Sequence, residues 1–140
     1  MKILGRTTVL LAMMTTAAVA ADYPNLLGTW TGTSRAVVTG TSGHYVVDGT
    51  RAKFVSADLT LEWTEQDDGR LIGTFTSPQY TEVKIGVISQ SGDMLFSADN
   101  DGTSVGRILG PDRFELCYTH AEANAEVSTA SCVIFTRTGS

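Results

Sequence analysis

Turn signals recur along this chain every eight to twelve residues or so, and no stretch after the first twenty or so residues shows helical periodicity. That combination leaves an all-β sandwich or barrel as the fold class. The second strand, about Lys53 to Glu65, alternates cleanly: Val55, Ala57, Leu59, Leu61 and Trp63 on one face, Ser56, Asp58, Thr60 and Glu62 on the other. The first, roughly Gly28 to Val38, carries Trp30, Gly32, Ser34 and Ala36 on its inner face. Asp67-Asp68-Gly69 suits a three-residue hairpin loop with glycine in the left-handed position, setting Gln66 opposite Arg70 and turning Leu71, Gly73 and Phe75 inward. Strand three stops at Ser77-Pro78. Strand four, from about Tyr80 to Ser89, is expected to turn Tyr80, Glu82 and Lys84 to solvent and Val83, Ile85 and Val87 to the core. Strands Met94 to Ala98, Thr103 to Leu109, Arg113 to His120 and Val127 to Arg137 complete a set of eight.

Residues 1 to 21 combine Lys2 and Arg6, an apolar run from Val9 to Val19 and Ala18-Val19-Ala20 before Ala21-Asp22, the form of a secretory signal peptide cleaved after Ala20. A transmembrane anchor needs about 20 apolar residues, more than this run supplies. No cysteine stands at the cleavage site for lipid attachment, so a single soluble domain, residues 21 to 140, is expected in the periplasm or outside the cell. Without Lys2 and Arg6 the ten basic residues fall to eight against fifteen acidic ones, a formal charge of −7. Nucleic acid and an anionic membrane face are disfavoured, since both require clustered Lys and Arg.

The two cysteines, Cys117 and Cys132, are an even pair in an oxidising compartment and read as one disulfide. Placing them opposite each other in the last hairpin sets Phe114 against Phe135, Leu116 against Val133 and Tyr118 against Ser131. The apolar residues then share one face and the disulfide lies on the outside with Glu115 and Thr119. Such a bond should stabilise by roughly 3 kcal/mol at most.

A Gly-x-Trp opening to the first strand, Gly28-Thr29-Trp30, eight hairpin-linked strands and Arg137 on the last strand resemble the calycin group, the lipocalins, avidins and their relatives. The resemblance implies an eight-stranded antiparallel up-and-down barrel with Trp30 plugging one end and Arg137 packed across it as a cation-π cover. Asp68-Gly69-Arg70-Leu71-Ile72-Gly73-Thr74-Phe75-Thr76-Ser77 is similar to the second hairpin of the avidin and streptavidin branch. Gly32 and Ala36 stand where that branch has its asparagine and serine for the biotin ureido group, and Phe75 stands for its tyrosine. Trp63 is the only tryptophan besides Trp30, so biotin binding is not implied.

Up-and-down topology puts the long 39 to 52 connection, the Pro78 turn, the 99 to 102 turn and the 121 to 126 tip around one mouth, away from Trp30. Residues expected to line or lid a small-ligand site there, or to line the interior below it, are His44, Tyr45, Trp63, Phe75, Ser77, Tyr118 and His120. Small interior residues, Gly32, Ser34 and Ala36, could leave a cavity or could let large neighbours fill the barrel. The leading expectation is a carrier for a small, mostly apolar ligand. The alternative is an inhibitor of a secreted hydrolase, a lysozyme or protease, acting through its loops. Ser42-Gly43-His44-Tyr45 resembles the Ser-Gly-x-x-Tyr loop of one lysozyme-inhibitor family, one residue shorter. Further readings are a structural or oligomeric envelope protein and a small barrel enzyme of the cyclase or isomerase kind, working by enclosure alone. His44 and His120 could be an acid-base pair with Glu122 or Glu126 as orienter, but no nucleophile elbow, metal spacing or phosphate loop supports them. No cofactor is implied and no metal-ligand spacing is present: Asp99-Asn100-Asp101-Gly102 opens like a calcium loop, but Gly110 occupies its twelfth position, so a tight turn is expected.

Overall fold

A computed structural model describes residues 22–49, 51–121 and 127–139. Residues 1 to 21, expected to be a signal peptide, and the two glutamates Glu122 and Glu126 lie outside them. Ten strand segments follow in order: β1 Gly28–Thr33, β2 Arg35–Thr39, β3 Lys53–Val55, β4 Asp58–Asp67, β5 Arg70–Thr76, β6 Thr81–Ile88, β7 Met94–Ala98, β8 Thr103–Gly110, β9 Arg113–Ala121 and β10 Ser128–Thr138. Each pairs antiparallel with its neighbour in the order β1-β4-β5-β6-β7-β8-β9-β10, and β1 pairs back onto β10. The result is a closed eight-stranded barrel, which decides between the sandwich and the barrel that the turn spacing leaves open and is the form that the calycin resemblance implies.

The extra segments arise because the first two predicted strands each bend once. β2 continues β1 along β10, and β3 pairs with β2 while β4 pairs with β1. The breaks fall at Ser34 and at Ser56-Ala57, where side-chain chemistry repairs the interrupted ladder. Ser34 N–H donates to Ala57 O at 2.8 Å, and the Ser34 hydroxyl accepts from Ala57 N–H at 3.2 Å. A serine that stands in for a backbone partner lets the ribbon turn without leaving a buried amide unpaired.

One apolar cluster fills the end at which β1 begins: Leu26, Trp30, Leu59, Leu61, Trp63, Leu71, Ile88, Leu95, Phe114, Leu116, Val133 and Phe135. A second, small cluster of Ala36, Val38, Tyr45 and Val47 sits at the other end. The last hairpin has the expected register, with Cys117 opposite Cys132, Leu116 opposite Val133 and Phe114 opposite Phe135, and the disulfide is formed on its outer side.

Two expectations are corrected, and a third point left open is decided. In the β4–β5 hairpin the predicted register holds away from the turn, where Trp63 faces Gly73 and Leu61 faces Phe75. A bulge between Trp63 and Glu65 then slips it by one, so that Asp67 faces Arg70 and the loop shortens to two residues. Asp68, not Gly69, takes the left-handed conformation (φ 52°). Gly69 is needed instead because the Tyr23 ring lies against it, 2.9 Å from where a Cβ would stand.

The second correction concerns β6, which is inverted relative to expectation. Glu82 and Lys84 are buried, 8% and 1% exposed, whereas Val83, Ile85 and Val87 are 59%, 54% and 47% exposed on the outer wall. Register enforces this. Phe75 faces in and pairs with Glu82, so period-two alternation carries Glu82, Lys84, Gly86 and Ile88 inward as a set. Gly86 is the inward residue that Trp63 requires, since a Cβ there would stand 2.9 Å from the indole. The outer valines and isoleucine join Ile72, Phe96 and Val105 in an exposed apolar band.

Third, the small inner residues do not leave a roomy cavity. A Cβ on Gly32 would stand 2.4 Å from Ile134 O and 2.7 Å from a Val133 methyl, so the neighbouring strand has moved into the space. The interior void beneath the mouth is only about 30 Å³, room for a water molecule.

Candidate functional site

The closed end is built by local chain geometry and one long side chain. Trp30 is fully buried, and its indole N–H donates to Leu26 O at 2.9 Å. Arg137 lies over the ring with its guanidinium carbon 4.1 Å from the centroid. Its N–H groups donate to Asp112 Oδ1 at 3.0 Å, Asn25 O at 2.8 Å, Pro111 O at 3.0 Å and Leu27 O. The fork thus ties the segment before β1 to the β8–β9 turn across the plug.

At the mouth the segment between β2 and β3 folds down into the barrel. Tyr45 and Val47 are buried in the small apolar cluster, and the Tyr45 hydroxyl donates to Ser34 Oγ at 2.9 Å. Thr41 Oγ1 donates to Val47 O at 3.0 Å and Ser42 N–H to Tyr45 O, also at 3.0 Å, which rounds the segment into a compact lid. Gly43 lies flat on Tyr80, where a Cβ would come within 2.7 Å of the ring.

His44, at the lid tip, occupies a seat of three side chains. Its ring meets Phe75 edge-on at 4.9 Å and Tyr80 at 5.3 Å, and its Nε2 is 2.9 Å from Glu82 Oε1. The Glu82 side chain is 3% exposed, yet its Oε2 has no partner, and neither has His44 Nδ1. An unpartnered buried polar atom costs about 1–3 kcal/mol.

Beside this seat runs a fully satisfied pair. Lys84 Nζ is 2.5 Å from Asp99 Oδ2, both side chains 1% exposed, and 3.4 Å from Ser104 Oγ. The ammonium also lies 5.1 Å from the Phe75 ring and 5.0 Å from the Tyr118 ring. Asp99 Oδ1 accepts from the N–H groups of Asp101 and Gly102, the local bonds of a tight turn. Burial opposes ionisation of Asp99, but Lys84 and those two N–H groups outweigh it and hold the carboxyl below its usual range. Tyr118 goes the other way: burial first, then Asp99, Asp101 and Glu82, push its hydroxyl well above the usual phenol range.

Of the residues that the sequence singles out, His44, Tyr45, Phe75, Tyr118 and His120 converge on the void at the mouth, together with Leu59, Leu116 and Thr129. Trp63 does not reach the mouth; it lies in the packed half with its indole N–H unpartnered. Ser77 stands at the rim, but its hydroxyl accepts from the N–H groups of Gln79 and Tyr80 and serves the turn. His44 has Glu82 as its carboxylate partner. Glu82, Lys84 and Asp99 are the residues that sequence reasoning missed. The signal for the first two was available: with Phe75 inward, the short Ser77-Pro78 turn fixes the parity of β6. Among the described residues no group of three or more His, Cys, Asp or Glu is placed to hold a metal ion.

No known family model matches the chain, and no curated protein matches it. Among solved structures it is similar to a protein of unknown function of the DUF3598 family from Nostoc punctiforme, at 14% identity and a TM-score of 0.48 over 87% of this chain and 52% of that one. It is also similar to an S-type phycobiliprotein lyase from Guillardia theta, at 12% identity and a TM-score of 0.35 over 82% of this chain and 89% of that one. The chain spans about half the length of the first. Neither likeness is close enough to carry an argument about what the barrel binds.

Proposed function

We propose that this is an exported carrier that binds a small, mostly apolar molecule in the mouth half of its barrel, beneath the lid formed by residues 41–47. The observation that carries the reading is the unfinished polar chemistry at that end. His44 Nδ1 and Thr129 Oγ1 are buried without partners on residues that line a small void, whose walls include Leu59, Phe75, Leu116 and Val133, and Glu82 Oε2, on the residue that His44 contacts, is a third. A concave, mainly apolar wall with a few converging polar groups is the usual make-up of a small-molecule site. With a void of about 30 Å³ the ligand must displace part of the lid rather than enter an open cup. Export is supported by the form of residues 1 to 21 and by the disulfide, since such bonds persist in oxidising compartments.

Native mass spectrometry of the protein isolated from its own periplasm or medium, followed by a lipophilic-ligand screen, tests this reading. A retained small molecule, lost on Phe75→Ala, is the expected result. A second reading, inhibition of a secreted hydrolase through the loops, is favoured by the exposure of Val46 (66%) on the lid and Phe54 (92%) on β3. Retention of a protein partner that is lost on V46D or F54D, with no small ligand bound, would decide for it.

A further inference from the structure

Resting on that reading, we infer that the seat now filled by the His44 imidazole is the seat of the ligand's head group, and that this head group is a nitrogen cation, a primary ammonium. Three features of the seat define its chemistry. Its floor is the Glu82 carboxylate, nearly sealed from solvent, with one oxygen on His44 and the other on nothing. Its walls are the aromatic rings of Phe75 and Tyr80, which meet the imidazole edge-on. The unpartnered carboxylate oxygen favours a cation, through charge-assisted hydrogen bonds.

The charge balance of the mouth points the same way. Among the described residues Lys84 is the only lysine or arginine lining the void, and Asp99 already neutralises it at 2.5 Å. Glu82 is therefore left without a fixed counter-ion. Its one partner comes from a segment that is not part of any strand. His44 thus acts as a tethered stand-in, a nitrogen heterocycle presented to the carboxylate by the protein itself. A ligand that displaces this ring can give Glu82 a donor for each oxygen, which a single imidazole Nε2 does not. Its apolar body would extend past the vacated ring into the void between Phe75 and Tyr118.

The test is a titration of the mature, disulfide-bonded protein with three probes of one shape and different charge: 2-phenylethylamine, 2-phenylethanol and phenylacetate, with histamine as a fourth. Chemical shifts of the His44 and Phe75 amides report the binding. The two amines are expected to bind at least about tenfold more tightly than the alcohol, with phenylacetate weakest, the ratio that one charge-assisted hydrogen bond supplies. Glu82→Gln should abolish that preference, bringing the amines down to the range of the alcohol. His44→Ala should tighten amine binding severalfold by removing the internal competitor. If the alcohol or the acid binds as well as the amines, or E82Q leaves the preference intact, the head-group assignment is wrong while the carrier reading stands. If none of the four probes binds either the native protein or H44A, while a neutral lipophile from the screen does, the head-group assignment likewise fails alone; if nothing small binds at all, both fall.

Discussion

The two ends of this barrel are capped by different means, and the contrast says which end is built to open. At the closed end the plug is part of a strand: Trp30 sits in the β1 ladder, facing Leu61 on one side and Arg137 on the other. Its indole N–H has a partner, and the arginine above it makes four hydrogen bonds as well as the cation-π contact. At the mouth the cap is a segment between strands, docked by Tyr45 and Val47 and latched by one His44–Glu82 bond. Buried polar atoms are left over there, on His44, Glu82 and Thr129. Two further buried atoms without partners lie away from the lid: Ser97 Oγ on β7, opposite Gly86, and Trp63 Nε1, held where it is by close contact with Gly73 and Gly86. A satisfied cap in a ladder can be removed only by unfolding the strand, whereas a loop cap with unmet hydrogen bonds can be exchanged for something that meets them.

The largest effect expected from this contrast is at the plug. Trp30→Ala should cost about 3–5 kcal/mol of unfolding free energy, as for other large-to-small changes in a core, and denaturant titration will read it. His44→Ala, at the opposite cap, should cost less, about 1–2 kcal/mol: it removes the orphan Nδ1 but leaves both Glu82 oxygens without a protein partner. Equal losses at the two ends would erase the distinction.

Next comes the buried pair below the lid. Lys84→Ala leaves Asp99 without its cation and should cost about 3 kcal/mol, since breaking a buried pair is more damaging than never having it. The double variant K84M/D99N should lose less than K84A alone. A larger loss in the double variant would show that the pair stabilises the barrel outright rather than merely being satisfied within it.

Acid should act through the same carboxylate. Asp99 has its folded-state pKa held below the usual value, so the stability it contributes is complete at neutral pH and is lost as pH falls below about 4, through the folded pKa. The stability gap between the native protein and D99N should therefore be constant from pH 7 to about pH 5 and narrow below about pH 4. A gap that narrows already near pH 6 would assign the effect to another group. The smallest effect is expected on the lid. Gly43→Ala pushes a methyl against Tyr80 and should shift the Tyr80 and His44 resonances while changing global stability by about 0.5 kcal/mol or less.

How legible the molecule was in its sequence follows the same division. Alternation in Lys53 to Glu65, the turn spacing and the pairing of Cys117 with Cys132 carried the strands and the register of the last hairpin, because most positions there obey apolar-in and polar-out, with Phe54 and Ile134 outward and Thr129 and Ser131 inward as departures. The same rule misplaced β6. Glu82 and Lys84 look like solvent residues, and Val83, Ile85 and Val87 look like core, until the parity inherited from Phe75 is imposed. A polar side chain can face inward when its partner comes from a distant turn, as Asp99 does for Lys84, or from the lid, as His44 does for Glu82. Such pairings are non-local, and local periodicity does not contain them. The site was therefore half visible: His44, Tyr45, Phe75, Tyr118 and His120 could be placed at the mouth from topology, while the charged groups that give it chemical character could not.

Native-state hydrogen exchange in low denaturant tests the division between the two caps most directly. The Ser42 amide, bonded to Tyr45 O inside the lid, should exchange by a local opening that hardly depends on denaturant and lies well below the global unfolding free energy. The amides of Trp30 and Leu61 should exchange only through global unfolding, with the full denaturant dependence. If Ser42 is protected to the same free energy as Trp30 and with the same denaturant slope, the lid is part of the core, and the mouth of this barrel does not open.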